Sequence, residues 1–307
     1  MSAPERSAAG VTVRVPAKVN VQLGVGAARP DGFHDLANVF LAVSLHDEVT
    51  ATPSASLTVT CEGRGADQVP LDRTNLAARA AQMLADRAGL TPAVHLHIAK
   101  NIPVAGGMAG GSADGAAALL ACDRLWGLDT PREGLLALCA ELGSDVPFSL
   151  VGGAALGTGR GEILTPVAAG SFHWVFAVAD GGLSTPAVFR EFDRLAEGRE
   201  IPVPQASPDL LAALASGDPD ALAAHLANDL QPAALSLRPS LAGTLAAGTD
   251  AGALAALVSG SGPTTAFLVR DAESAAKVAA ALEASGTCRS THTATSPAPG
   301  ATVLPGA

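Results

Sequence analysis

The stretch Pro103–Leu120, PVAGGMAGGSADGAAALL, places five glycines within thirteen residues and then runs directly into alanine and leucine. Glycines at this density let a backbone take positive φ and bring its N–H groups close to a bulky ligand. A helix starting immediately afterwards aims further unpaired N–H groups, and the positive end of its dipole, at the same point. Phosphate binding is the chemistry this favours. Neither familiar phosphate loop fits letter by letter. Gly106 and Gly111 have the spacing of the outer Walker glycines, but Ser112 stands where the lysine belongs, and no two glycines are separated by one residue. A flexible turn before a packed alanine-rich helix remains the alternative, and the loop alone names neither ligand nor reaction.

Three other places hold residues suited to chemistry. The chain has sixteen arginines but only three lysines, Lys18, Lys100 and Lys277, so each lysine stands out as a compact point charge among planar guanidinium groups. Lys18 shares a strand face with Asn20, either as a solvated edge or as part of a site. Asp145, in AELGSDVPFSL, reads either as the N-cap of a short helix or as a carboxylate aligned on an acceptor hydroxyl beside a phosphate. His34 beside Phe33, in RPDGFHDL, is either a structural histidine or part of an exposed turn that reads a base. A second Gly/Ser loop, SGSGPT from Ser259, lies in the other half of the chain, and two such loops favour a cleft between domains.

The elements that must carry these residues follow from periodicity. Val11–Leu23 alternates completely, which predicts a half-buried strand with an edge or break at Pro16. Asn75–Gly89 predicts a helix, and AVHLHIAK predicts a strand delivering Lys100 to the mouth of the glycine loop. Ser112–Trp126 and Pro131–Leu142 read as helices, and the segments after Val151 as strands joined by a short turn. Residues 200–256 predict several helices, GALAALV leads as a helix into the second loop and a strand, and AESAAKVAAALEAS is a further helix. The last fifteen residues, with little pattern, are expected to fray. The sum is an α+β chain divided near residue 165.

Composition narrows the class. The 307 residues carry a net charge of −10 with scattered basic side chains, which excludes an electrostatic footprint for nucleic acid. No apolar stretch is long enough to span a membrane and no secretory signal is visible, so a cytoplasmic protein is expected. Four cysteines without metal or redox spacing argue against a zinc site, and no metal-ligating protein residue is assigned.

PVAGGMAGGSADGAAA resembles the central phosphate-loop motif of the GHMP kinases, the superfamily of galactokinase, homoserine, mevalonate and phosphomevalonate kinases. PAKVNVQL and SGSGPTTAF resemble its first and third motifs. Together, PAKVN, RPDGFHDL, SDVPF and GRGEILTPV are similar to the branch that phosphorylates a cytidine-diphosphate-linked methylerythritol in the non-mevalonate isoprenoid pathway. The resemblance runs in order from about residue 13 to about residue 268. It implies a two-domain α+β GHMP kinase fold, residues 1–165 and 166–307, with the active site in the cleft between domains. It also implies ATP with Mg²⁺ as cofactors, and transfer of the γ-phosphoryl to the substrate's 2-hydroxyl.

Residue by residue, the resemblance places the catalytic lysine and aspartate on Lys18 and Asp145, the aspartate taking the hydroxyl proton while the lysine keeps it ionised. The nucleotide's phosphates fall on Pro103, Val104, Ala105, Gly106, Gly107, Met108, Ala109, Gly110, Gly111, Ser112 and Ala113, and the adenine end on Asn75 and Lys100. Ser112 is the candidate contact for Mg²⁺. Asn20 falls among the substrate-binding residues, His34 on the base-reading histidine, and Phe33 and Phe189 on two aromatic plates around the base. Ala105, Ala109, Gly115 and Phe33 depart from the usual pattern of glycine, glycine, alanine and tyrosine. The rival readings are another GHMP small-molecule kinase, of homoserine or mevalonate type, and a catalytically silent ATP-binding sensor. The DGFH turn disfavours the first, and the joint presence of Lys18 and Asp145 the second. Oligomeric state is left open.

Overall fold

The alternation at the N-terminus builds the strand on which the site rests. In a computed structural model, which describes residues 10–104 and 106–305, β1 runs from Val11 to Ala28 and pairs along most of its length with β2, His34–Pro53. Val13, Val15, Ala17, Val19 and Val21 are buried in the main core, while Lys18, Asn20 and Gln22 on the opposite face are also at most 9% exposed. The polar face therefore looks into an intramolecular cleft rather than into solvent. Pro16 marks a break and not an edge: the β1–β2 register shifts between Pro16 and Ala17, in the interior of the sheet.

After β3 (Thr58–Gly63) come α1 (Leu76–Ala88), β4 (Val94–Lys100), α2 (Gly110–Trp126), α3 (Arg132–Leu142) and the short α4 (Val146–Val151). β5 (Ala154–Thr158) and β6 (Ile163–Pro166) form a hairpin, and β7 (Phe172–Val178) begins a second sheet. A helical region follows: α5 (Thr185–Ala196), α6 (Pro208–Ser216), α7 (Pro219–Ala223), the two-residue β8 (Ala227–Asn228), α8 (Gln231–Leu237) and α9 (Ser240–Asp250). The chain ends through β9 (Ala255–Val258), β10 (Thr265–Val269), α10 (Ala272–Ser285), β11 (Ser290–Ser296) and β12 (Thr302–Val303).

The first sheet has the order β12-β1-β2-β4-β3, with β5 and β6 added through β2 and β8 parallel to β1. The second is antiparallel, β11-β7-β10-β9. α2 packs on β1 and β2 through Ala113, Ala116, Ala117 and Ala121, all fully buried, because small side chains let helix and sheet approach closely. Gly115 serves the neighbouring contact: a Cβ there would lie 3.3 Å from Cβ of Leu76 on α1.

Two expectations are corrected. Ala255–Val258, expected as helix, is a strand, because its short apolar run is half-buried to buried against β10. Up to residue 304 the tail is held in place: β11 extends through Ser296, Ala298 bonds to Ala42 and Gly153, and β12 pairs with β1; the last two residues lie outside the described ones. The proline- and glycine-rich stretch has no side-chain pattern because backbone hydrogen bonds to the first sheet hold it in place.

Candidate active site

β1 delivers Lys18 and Asn20 side by side. Lys18 Nζ donates to Asn20 Oδ1 at 2.7 Å and to the Gly107 carbonyl at 2.9 Å, and stands 3.8 Å from Asp145 Oδ2. Asn20 is oriented by its own 2.7 Å donation to Asn38 Oδ1. Burial pushes the Lys18 pKa below that of a solvated lysine, against the opposing pull of Asp145. Asp145 stands at the N-terminus of α4, yet its side chain makes no capping hydrogen bond, so its carboxylate stays available to the cavity that it lines.

That cavity, about 700 Å³, is bounded on one side by Gly106, Gly107, Ala109, Gly110, Gly111 and Ser112. The first intrahelical bond of α2 here is Ala113 N–H to the Ala109 carbonyl, so the N–H groups of Gly110, Gly111 and Ser112 are those that a helix start leaves unpaired. These N–H groups stand beside the cavity that the glycine loop lines. Pro103, Met108 and Ala113 are buried and Val104 half-buried, and none of the four is among the residues that line the cavity; Ala105 lies outside the described residues. Ala109 adopts φ 59°, the left-handed region that glycine occupies without cost. The second loop braces the first: a Cβ on Gly107 would lie 2.2 Å from the Ser259 carbonyl, and Ser259 Oγ donates to the Gly107 carbonyl at 3.2 Å. Asn228 secures the brace through the carbonyls of Val258 and Gly260.

Asn75 and Lys100, expected at the adenine end, are not among the residues that line this cavity. Asn75 caps α1, accepting from Ala77 N at 2.8 Å and donating to the Pro70 carbonyl. The Lys100 ammonium is taken up by Asp47 at 2.5 Å and Asp114 at 2.7 Å, all three side chains at most 4% exposed. Asp47 also accepts from the backbone of Asn101 and Ile102, so the cluster ties the end of β4 to the first turns of α2. Burial pushes the Asp114 carboxyl up to about 8 despite Lys100 beside it.

At the other end of the cavity the predicted aromatic cluster is assembled from distant segments. Phe33 is 48% exposed, with the Arg160 guanidinium 5.1 Å from its ring centre. His34 is 6% exposed, packs on Phe189 with centroids 4.9 Å apart, and meets Phe192 edge-on at 6.0 Å. Its Nε2 lies 2.9 Å from Asp193 Oδ1. One cavity therefore joins a phosphate-ready helix terminus, a lysine–carboxylate pair and an aromatic slot.

The chain matches two family models, the GHMP kinases N terminal domain over residues 75–153 and the GHMP kinases C terminal over residues 210–288. A relative from Streptomyces avermitilis, named 4-diphosphocytidyl-2-C-methyl-D-erythritol kinase, is 75% identical over 295 residues, 96% of this chain and 99% of its own. One from Mycobacterium bovis with the same name is 56% identical over 96% of this chain and 93% of its own. The chain belongs to the 4-diphosphocytidyl-2-C-methyl-D-erythritol kinases of the GHMP group. A solved structure described as 4-(cytidine 5'-diphospho)-2C-methyl-D-erythritol kinase superposes with a TM-score of 0.75 at 32% identity, covering 93% of this chain and 99% of that one. A homoserine kinase from Cytophaga hutchinsonii, 19% identical with a TM-score of 0.71 over 99% of both chains, shares the fold.

As a GHMP kinase the chain uses ATP, and its cavity has room for residues that the sequence reading missed. Asn38, Ser144, Arg160, Arg190, Asp193 and Gly260 all line it. Arg160 had a signal, since it stands inside GRGEILTPV; Asp193 had none beyond an ordinary helical repeat. Among the described residues no group of three or more His, Cys, Asp or Glu could hold a metal ion alone. The Ser112 hydroxyl, which lines the cavity, fits an Mg²⁺ carried by a nucleotide, an ion that keeps several waters and takes one or two protein oxygens. Among the described residues, no helix is long and apolar enough to cross a membrane.

Proposed function

We propose that this chain moves the γ-phosphoryl group of ATP onto the 2-hydroxyl of 4-diphosphocytidyl-2-C-methyl-D-erythritol, in the cytoplasm, where ATP is its phosphoryl source. The observation that carries the reading is the single cavity in which Lys18 and Asp145 stand at one end and Phe33, His34 and Phe189 at the other. A substrate with a reactive polyol, a diphosphate and a base spans such a cavity. Homoserine and mevalonate have no base to fill the slot.

The phosphates lie on the loop from Gly106 to Ser112, under the N-terminus of α2. Phosphoryl transfer asks chiefly for alignment and for neutralised charge on the transferred oxygens. Ser112, at the start of α2, would hold an Mg²⁺ carried by the nucleotide, which would supply part of that charge. Asp145 aligns the acceptor hydroxyl and takes its proton, and Lys18 polarises the same oxygen while its bond to the Gly107 carbonyl keeps it in register with the loop. Asn20, locked by Asn38, fixes the lysine's direction.

Initial rates with three acceptors test the assignment. The cytidine substrate should turn over, while homoserine and mevalonate should not. His34→Ala should raise the KM for the cytidine substrate about tenfold or more, the cost of losing a buried hydrogen-bonding group, with the KM for ATP unchanged. Equal effects on both KM values would exclude base reading by His34.

A further inference from the structure

His34 and Asp193 are separated by 159 residues, and their contact sits at the aromatic end of the cavity. His34 begins β2, while Asp193 comes from α5, one turn beyond Phe189 and next to Phe192, the two rings that pack on the imidazole. A carboxylate oxygen accepts and has no hydrogen to give, so the hydrogen of this 2.9 Å bond belongs to Nε2. In a neutral ring the other nitrogen, Nδ1, is then a bare acceptor. The aromatic rings around it and its 6% exposure hold the ring in that orientation.

An acceptor selects a donor. Cytosine carries an exocyclic amine at C4 where uracil carries a carbonyl, and a carbonyl facing Nδ1 would bring two acceptors together. We propose that Asp193 is a specificity-determining positioning residue that, by holding His34 in the Nε2–H tautomer, makes the site accept cytosine and reject uracil. The proposal rests on the reading that this end of the cavity receives the base.

The test compares kcat/KM for the cytidine substrate and for its uridine-diphosphate analogue in the wild type, Asp193→Ala and Asp193→Glu, together with the ¹⁵N spectrum of His34 in the wild type. The wild type should prefer cytidine by about 10² or more, as sites built around a buried hydrogen bond do. Asp193→Ala should shrink that ratio at least tenfold through KM, with kcat and the KM for ATP nearly unchanged, and Asp193→Glu should restore part of it. The ¹⁵N spectrum should show the proton on Nε2. A ratio that survives in Asp193→Ala, equal losses on both substrates, or a wild-type ring protonated on Nδ1 would overturn the role given to Asp193 while leaving base reading intact. A wild type that treats the two substrates alike would overturn base reading itself. Because the ¹⁵N measurement and the wild-type substrate comparison use the unmodified protein, the proposal can be overturned even where Asp193→Ala folds poorly.

Discussion

Lys18 and Asp145 stand 3.8 Å apart, a separation that admits a hydroxyl oxygen within hydrogen-bond reach of both. If Asp145 takes the proton during transfer, Asp145→Asn removes the acceptor but keeps the shape, and kcat should fall by about 10² to 10⁴ while ATP affinity, measured by titration calorimetry, stays put. Wild-type turnover in that variant would remove Asp145 from the chemistry. The lysine gives a pH test. Its pKa is lowered by burial, and its charged form is the active one, so kcat should decline as pH rises through a pKa below that of an ordinary lysine. Lys18→Arg, charged throughout, should lose that alkaline limb at some cost in rate. A rate constant flat up to the ordinary lysine range would contradict the role. Lys18 and Asp145 were legible in the sequence, one by lysine scarcity and both by motif, but only geometry separates the free Asp145 carboxylate from a helix cap. Asp193 was not legible, because its meaning depends on a partner 159 residues away.

The loop between β4 and α2 is held at both ends. Below it, the buried cluster of Lys100, Asp47 and Asp114 ties strand to helix; beside it, Ser259 and Gly260 close against Gly107. Within it, Ala109 occupies a left-handed conformation that costs a non-glycine residue about 1–2 kcal/mol, so Ala109→Gly should raise unfolding free energy by about 1 kcal/mol after the entropy of the extra glycine is offset. Chemical denaturation checks it, and a destabilised variant would show that the alanine methyl contributes packing that outweighs the strain. The helices of the first half were legible because their apolar residues recur at helical spacing. β9 was not, since a four-residue apolar run has no period of its own, and β12 was not, since only backbone pairing with β1 defines it.

At the scale of the molecule, the two sheets and the helices between them place the phosphate loop and the aromatic slot on one cavity. We put the boundary between the two lobes between β6 and β7, close to the division expected near residue 165, with β8 and β12 returning from the second half to flank β1. The two Gly/Ser loops were visible in the sequence as separate turns; their closure against each other was not, because no local pattern records which distant backbone a glycine must admit. The account is tested most directly by ³¹P NMR of the wild type with Mg-ATP and 4-diphosphocytidyl-2-C-methyl-D-erythritol. It predicts one new phosphomonoester signal growing in step with ADP while the substrate's diphosphate signals persist. ATP bound without a new ester, or consumed to inorganic phosphate alone, would contradict it.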